Sequence, residues 1–336
     1  MPARVNVALI GAGLMGSFHA ETLAWRVPGA RLAAIVDANV DGARRLAVAL
    51  GLDDVRIEPD PDAVLADPDI RAVAIATPAR LHADLIAAAA SAGKPAFCEK
   101  PLAHTFEEAD RAIGAVERAG TILQIGFQRR FDKGFIRAFD AARAGALGDL
   151  HLLRSITRDP AVPRPEGPLP WAVFLETMIH DFDVLRWLAG SEAVEVSAMG
   201  GALGWGDDPA TGLLDTAVAA IRFESGALAT ADVSFQGAYS YDVRAEVFGT
   251  AGMVAVGDGR VDSATVHTAQ GATRAQAPWF KDLFAEAYVA ELAHFVDCVR
   301  TGAQPRATGA DGRAGLAMGL AAIESVRTGR AATVAS

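Results

Sequence analysis

The sequence predicts an α/β protein in which a doubly wound parallel sheet is followed by a second domain with an antiparallel or mixed sheet. Over the first 125 residues, apolar strand patterns alternate with helix patterns, as a parallel sheet with crossover helices requires. Between residues 194 and 267, strand patterns follow one another without helices, which favours antiparallel pairing. These two observations divide the chain into predicted domains at residues 1–125 and 126–336.

The first domain is predicted to consist of repeated β–α units. Its strands are apolar runs such as VNVALI at 5–10 and IRAVAIATP at 70–78, as expected for strands covered on both faces. Gly93 and Gly120 each follow a helix pattern and are typical helix-ending residues. The predicted strands are 5–10, 31–37, 70–78, 95–101 and 121–127. The first predicted helix starts at residue 14, and the others are 41–50, 81–92 and 107–119.

The second domain lacks this regular alternation. Strand patterns such as TAVAAIRF and ALATADVSF fill the region 194–267, and the Gly-rich segment 200–212 is predicted to be a loop between two of them. The other predicted elements are a helix at 133–144, a strand at 150–157, a Pro-rich loop at 159–170, a helix at 174–188, and two closing helices at 281–299 and 309–328.

Composition and charge narrow the class of protein. The chain has 336 residues, 51% of them hydrophobic, which allows two compact domains. Its net charge of −10 argues against nucleic acids and anionic membranes as partners. The start shows no signal-peptide pattern, no apolar run is long enough to span a bilayer, and Cys98 and Cys298 are too few for a disulfide framework. We therefore expect a cytoplasmic protein.

The segment GAGLMG carries the strongest local signal. Gly11, Gly13 and Gly16 have the spacing G-x-G-x-x-G, directly after a strand and at the start of a helix. The helix N-terminus can bind a pyrophosphate, and Asp37 stands at the end of the second strand, where a carboxylate accepts hydrogen bonds from ribose hydroxyls. The same carboxylate would repel a 2′-phosphate, so the motif predicts NAD rather than NADP.

Further cofactor contacts are expected where parallel strands end, because ligands of such sheets lie at the carboxyl ends of the strands. For His82 two interpretations stay open, a cofactor contact and a surface position on its helix. The additional residues predicted at the cofactor are Leu14, Met15, Ala76, Thr77, Pro78, His82, Glu99 and Lys100.

Lys100 is a candidate for a role in the reaction itself. It follows a predicted strand in CEKPLA, and an ammonium there can donate a hydrogen bond to a substrate hydroxyl and favour an alkoxide-like oxygen. A surface ion pair between Glu99 and Lys100 is the alternative.

The helix FLETMIHDFDVLRWL places charged residues in an apolar segment. At helical spacing, Glu176, His180 and Asp183 share one face and can interact with one another. This pattern fits an acid/base pair, a metal site or a structural histidine. A metal is disfavoured because the sequence supplies only two of the three or four ligands nearby and because hydride transfer to NAD needs none.

Several motifs occur in a characteristic order: GAGLMG, the EKP at 99–101, GFQRRFD, TRDP and ETMIHDFD. In this the chain resembles the glucose–fructose oxidoreductase/inositol 2-dehydrogenase (Gfo/Idh/MocA) family, and within it the inositol 2-dehydrogenases most. The resemblance implies an N-terminal Rossmann domain and a C-terminal α/β domain whose large, open, mostly antiparallel sheet often makes oligomer contacts. It departs from the usual pattern at Glu176, where an aspartate is common.

The resemblance also implies an activity, namely NAD-dependent oxidation of a secondary hydroxyl of a cyclic polyol or sugar by a homo-oligomer, either a dimer or a tetramer. Alternatives are an NAD-dependent glycosidase of the same fold and a non-catalytic NAD-sensing protein. The implied catalytic residues are Lys100, His180 and Glu176. The implied substrate-binding residues are Lys100, Arg129, Thr157, Asp159, Glu176, Thr177, His180 and Tyr241.

Overall fold

The computed structural model describes residues 4–161, 169–206, 209–257, 260, 262 and 264–335. Its strands are β1 Val5–Ile10, β2 Ala30–Val36, β3 Arg56–Glu58, β4 Ala72–Ile75, β5 Ala96–Glu99, β6 Leu123–Gly126, β7 Leu150–Pro160, β8 Ala193–Gly201, β9 Thr216–Phe223, β10 Leu228–Gly237, β11 Asp242–Gly249, β12 Gly252–Val256, β13 Val266–Thr268, β14 Gly271–Thr273 and β15 Ala332–Thr333.

The helices are α1 Leu14–Glu21, α2 Val40–Ala49, α3 Asp62–Ala66, α4 His82–Ser91, α5 Phe106–Ala119, α6 Lys133–Arg143, α7 Met178–Ala189, α8 Phe280–Leu283, α9 Ala285–Thr301 and α10 Gly309–Thr328. Thr22–Arg26 and Val173–Thr177 form π-helical turns, and Ala79–Leu81, Gln128–Phe131 and Pro209–Thr211 form 3₁₀ turns. Within the described residues, no helix combines the length and apolarity needed to cross a membrane.

The chain forms two compact units that are not contiguous in sequence. One consists of Met1–Gln128 with Glu286–Arg313, and the other of Arg129–Ala285 with Ala314–Ser336. The predicted domain division at residues 125/126, by contrast, is contiguous. The physical reason for the difference is the apolar face of α9, because Leu292 and Phe295 are buried in the same core cluster as Phe97 of β5.

The first unit contains the predicted doubly wound sheet. Its six strands pair in the order β3-β2-β1-β4-β5-β6, and every pairing is parallel. The strand order reverses between β1 and β4, which places a ligand crevice at their carboxyl ends. Gly93 and Gly120 have positive φ angles of 68° and 64° at the ends of α4 and α5, as the sequence predicts.

The second unit contains a seven-stranded sheet in the order β12-β11-β7-β10-β9-β8-β15. Only β7 and β10 pair in parallel, so the predicted mostly antiparallel sheet is confirmed. Along β9, exposed and buried residues alternate, as expected for a sheet packed on one face only.

Several predicted elements differ in detail. The helix expected at 174–188 begins with a π turn before α7, and the helix expected at 281–299 is two helices, α8 and α9. β7 continues to Pro160, so the start of the predicted Pro-rich loop is strand. The remainder of that loop at 162–168, and residues 207–208 of the predicted Gly-rich loop, lie outside the described residues.

Candidate active site

The Gly-rich turn between β1 and α1 is closely packed against the end of β4. Gly11 has a φ of 99°, and a Cβ atom there would lie 2.6 Å from the carbonyl oxygen of Ala76. A Cβ at Gly16 would overlap the carbonyl oxygen of Gly11. At Gly13, in contrast, a Cβ would meet no protein atom within 4 Å. Two glycines are therefore required by the protein itself, whereas Gly13 leaves open space at the start of α1.

This open space fits the pyrophosphate of a dinucleotide. Gly13 and Leu14 are exposed at the N-terminus of α1, and Met15 is half-buried beside them. The first N–H groups of a helix lack intrahelical acceptors and attract anions. The second glycine of the motif allows a phosphate group to approach the backbone closely.

Asp37 connects the end of β2 to the Gly-rich turn. Its carboxylate accepts hydrogen bonds from the backbone N–H groups of Ala12 and Asn39, both at 2.7 Å. The carboxylate is thereby fixed at the position where ribose hydroxyls are bound in this fold. Arg44 on the following helix donates to Asp41 on the surface. This geometry fits the sequence prediction of NAD.

The turn after β4 contains a second feature that fits a cofactor. The Oγ1 hydroxyl of Thr77 is buried, and within the described part of the chain no hydrogen-bond partner is found for it. A buried hydroxyl without a partner costs free energy, and a bound ligand can satisfy it. Ala76 and Pro78 flank this hydroxyl, so the predicted residues of this turn lie beside the Gly-rich turn.

His82 is not on the surface, so that alternative is wrong. Its side chain is 1% exposed. Nδ1 lies 2.7 Å from the carbonyl oxygen of Pro101, and Nε2 lies 2.9 Å from that of Thr77. The ring thus connects two backbone turns at the carboxyl ends of β4 and β5. A direct contact of His82 with the cofactor stays a prediction.

The pair Glu99–Lys100 is not a surface ion pair either. Glu99 is 6% exposed, and its Oε1 lies 2.6 Å from Nε2 of the fully buried His19. Its Oε2 accepts a hydrogen bond from the backbone N–H of Lys100 at 3.2 Å. Lys100 itself is half-buried at the end of β5, the strand next to β4, at whose carboxyl end the strand order places the crevice.

In the second unit, three predicted residues stand out by their exposure. Within the run 173–185, every residue is buried except Glu176, Thr177 and His180, which are half-buried. Glu176 and Thr177 lie in the π turn, a feature often found at functional sites. Among the described residues, no three His, Cys, Asp or Glu side chains form a group that could hold a metal ion.

A buried polar cluster lies beneath that face. The carboxylate of Asp181 accepts hydrogen bonds from Arg129 at 2.8 Å, from Thr157 at 2.9 Å and from Ser155. Arg129 also donates to Thr157 at 2.8 Å. Burial alone would lower the pKa of Arg129, but the adjacent carboxylate of Asp181 offsets this, and the pKa is raised. The cluster fixes α7 to β7.

This cluster changes the interpretation of two predicted substrate contacts. Arg129 is 1% exposed and Thr157 is fully buried, and both use their polar groups on protein partners. A direct substrate contact of either residue stays a prediction. The structure assigns them a different task, which is to support the helix that carries His180.

Asp183 is also used within the protein. It forms a bidentate ion pair with Arg130, at 2.9 Å from Nε and 2.6 Å from Nη2. Both side chains are buried. The sequence groups Asp183 with His180, but two of its oxygens accept from Arg130, which is the geometry of a structural pair.

Tyr241 and Asp159 lie near this cluster. Burial raises the pKa of Tyr241, and the charges of Arg129, Asp159 and Asp181 act on the same hydroxyl. The ring of Tyr241 packs edge-on against Phe280 and Phe284. Tyr241 is thus held in place, and its pKa keeps it neutral at physiological pH.

Four buried residues of these clusters are absent from the predicted site: His19, Arg130, Ser155 and Asp181. His19 has only its spacing after Gly16 to mark it, and a buried ion pair such as Arg130–Asp183 joins residues far apart in sequence. The dipeptide RR at 129–130 and the segment DFD at 181–183 supply opposite charges, but the sequence does not determine which of these residues pair.

The glycines make a testable prediction. Gly13→Ala should leave the melting temperature unchanged, because its backbone φ of −69° suits alanine and its Cβ meets no protein atom. It should weaken NAD binding at least about tenfold, or about 1.4 kcal/mol, because the methyl group occupies the open space. Gly16→Ala should instead destabilise the unit by about 1–3 kcal/mol through overpacking. Thermal unfolding measures the stability of each variant, and calorimetric titration measures its NAD dissociation constant. Equal changes of both quantities in Gly13→Ala and Gly16→Ala would contradict the different roles of the two glycines.

Comparisons with known proteins agree with this geometry. Residues 5–127 match the family model described as "Oxidoreductase family, NAD-binding Rossmann fold", and residues 135–255 match the "GFO/IDH/MocA C-terminal domain". The chain is 38% identical over 330 residues to scyllo-inositol 2-dehydrogenase (NAD(+)) of Bacillus subtilis, covering 98% of this chain and 96% of the relative. It is 36% identical to the myo-inositol 2-dehydrogenase of Thermotoga maritima, with 97% of each chain covered.

A solved structure shares the whole fold. The scyllo-inositol dehydrogenase of Lactobacillus casei, crystallised with NAD(H) and scyllo-inositol, superposes with a TM-score of 0.91 at 28% identity, covering 99% of this chain and 100% of that one. The resemblance predicted from the motifs is confirmed by the two family models and by the full-length relatives. The chain belongs to the Gfo/Idh/MocA family of oxidoreductases.

Proposed function

We propose that this protein is an NAD-dependent dehydrogenase that oxidises a secondary hydroxyl of an inositol-like cyclic polyol to a ketone. The observation that carries the proposal is the half-buried polar face of Glu176, Thr177 and His180 in an otherwise buried segment. The names of the full-length relatives, which act on inositols, support the substrate class.

The first unit would hold the cofactor. Asp37 is placed to accept hydrogen bonds from ribose hydroxyls, and the open space at Gly13 would take the pyrophosphate. The buried hydroxyl of Thr77 would gain a partner from the bound ligand. When bound, NAD supplies the hydride acceptor.

The chain's own residues would handle the proton. His180 removes the proton from the reacting hydroxyl oxygen, since an imidazole titrates near neutral pH. The ammonium of Lys100 donates a hydrogen bond to the same oxygen and stabilises the negative charge that develops there. Glu176, one helical turn before His180, either orients the imidazole or accepts from a neighbouring hydroxyl. Thr177, Asp159 and Tyr241 would contact the rest of the polyol.

We also propose that the protein works as a homo-oligomer, a dimer or a tetramer, in the cytoplasm, where its cofactor is available. The seven-stranded sheet has one face with exposed apolar side chains, where Leu152 of β7 pairs with Leu228 and Phe248 of the neighbouring strands. Exposed apolar patches of this kind mark protein interfaces. Light scattering on the purified protein measures the mass in solution.

The function is tested by incubating the protein with individual inositol stereoisomers, aldoses and anhydrosugars, with NAD and NADP in parallel. We expect nicotinamide reduction with at least one inositol and a higher kcat/KM with NAD than with NADP, because the Asp37 carboxylate repels a 2′-phosphate. Lys133→Met, which removes an exposed lysine of α6, serves as a control with unchanged turnover. Failure of every cyclic polyol and sugar, or release of an aglycone without net reduction, would refute the proposal.

A further inference from the structure

His82 links two turns that approach the proposed reaction centre from neighbouring strands. Its ring nitrogens lie 2.7 Å from the carbonyl oxygen of Pro101 and 2.9 Å from that of Thr77. Thr77 follows β4 and carries the buried hydroxyl for which the described residues supply no partner, while Pro101 directly follows Lys100. One buried side chain therefore ties a cofactor turn to the peptide next to Lys100.

Carbonyl oxygens only accept hydrogen bonds, so the ring of His82 donates to the carbonyl that faces its N–H. The side chain is 1% exposed, so water does not take its place between the two turns. The imidazole therefore holds the two turns at hydrogen-bond distance from one ring.

Glu99 holds Lys100 from the other side. Its Oε2 accepts from the Lys100 N–H at 3.2 Å, while its Oε1 contacts Nε2 of His19 at 2.6 Å. His19 is fixed in turn by edge-on aromatic packing against Phe97. Gly126, the partner of Glu99 in β6, leaves room for this carboxylate, because a Cβ there would lie 3.1 Å from Oε2.

We infer that His82 and Glu99 are positioning residues for Lys100, and that His19 fixes the carboxylate of Glu99. The inference rests on the proposed function, in which Lys100 binds the reacting oxygen. The lysine side chain is long and flexible, so the place of its ammonium depends on how firmly its backbone is held. A displacement of about 1 Å in a reacting group can lower turnover about a hundredfold.

The test uses two pairs of variants in the full-length protein. His82→Phe removes the polar ring nitrogens, and His82→Gln supplies an amide that can donate a hydrogen bond. Glu99→Met removes the acceptor, and Glu99→Gln keeps an acceptor of the same shape. His267→Phe, at an exposed histidine of β13, is the matched control. For each protein, kcat and KM are measured with NAD and the best inositol, together with the NAD dissociation constant and the melting temperature.

Hydrogen–deuterium exchange without cofactor or substrate gives a readout that does not depend on activity. We expect the Lys100 amide to exchange at least about fivefold faster in His82→Phe and Glu99→Met, since each loses a hydrogen bond beside it. In these variants kcat should fall about tenfold or more, with the NAD dissociation constant within about threefold of wild type. His82→Gln and Glu99→Gln should recover most of both losses.

Two results would overturn the inference. One is wild-type exchange at Lys100 together with wild-type kcat in His82→Phe and Glu99→Met. The other is a fall in kcat that is equally large in His82→Gln and Glu99→Gln, since loss of the hydrogen bonds would then not explain the lower kcat. If either His82→Phe or Glu99→Met does not fold, the inference is judged from the other of these two variants. An inactive wild type would refute the proposed function, while the exchange data would still test the positioning.

Discussion

Replacing His180 by glutamine should lower kcat for the inositol substrate by about 10²- to 10⁴-fold, the range that general acid–base catalysis contributes. The amide cannot take the hydroxyl proton, although it can still form hydrogen bonds. The NAD dissociation constant should stay near its wild-type value, because His180 is not among the residues assigned to the cofactor. Steady-state kinetics with the inositol that the wild-type protein oxidises measure kcat, and calorimetric titration with NAD measures the dissociation constant.

The pH profile sharpens this expectation. A general base acts only in its deprotonated form, so in the wild type kcat/KM should rise with pH. In His180→Gln that ascending limb should disappear, whereas Lys100→Met should retain it at lower activity. His267→Gln, an exposed histidine, should leave rate and profile unchanged. If His180→Gln had wild-type turnover, or if it retained the ascending limb, His180 would be ruled out as the base.

The cofactor half of the site could be predicted from sequence because its signals are local. The strands covered on both faces show as apolar runs, and the glycines and Asp37 lie close to the strand ends that position them. The structure adds the reason for two of the glycines, since Gly11 closely approaches the backbone of the turn after β4 and Gly16 closely approaches the carbonyl group of Gly11. The motif marks these positions, but the distances depend on packing.

The substrate half was less accessible to such reasoning because its contacts are long-range. Helical spacing at 100° per residue groups Glu176, His180 and Asp183 on one face, and the first two are half-buried in the structure. It does not reveal that Asp183 pairs with Arg130, which lies 53 positions away. The π turn Val173–Thr177 also interrupts the regular period of the helix, so a single helical projection does not hold across it. Which charges pair inside a core is decided by tertiary structure.

The pair Arg129–Asp181 leads to the second large expected effect. Arg129→Met should lower the free energy of unfolding of the second unit by about 3–5 kcal/mol, the usual cost of removing one partner of a buried ion pair. The exposures of the two side chains are 1% and 0%, so water cannot replace the lost guanidinium around the carboxylate of Asp181. Urea titration followed by tryptophan fluorescence suits the measurement, because Trp171, Trp187, Trp205 and Trp279 all lie in this unit.

The second unit offers a matched control in Arg222, whose ion pair with Glu195 is 57% and 48% exposed. Arg222→Met should change the free energy of unfolding by less than about 1 kcal/mol, as surface pairs usually do. The double variant Arg129→Met/Asp181→Asn should be more stable than Arg129→Met alone, because the unpaired buried carboxylate is gone. Two results would mean that the buried charge pair does not hold α7 on β7. One is a loss of stability in Arg129→Met no larger than in Arg222→Met, and the other is a double variant no more stable than Arg129→Met.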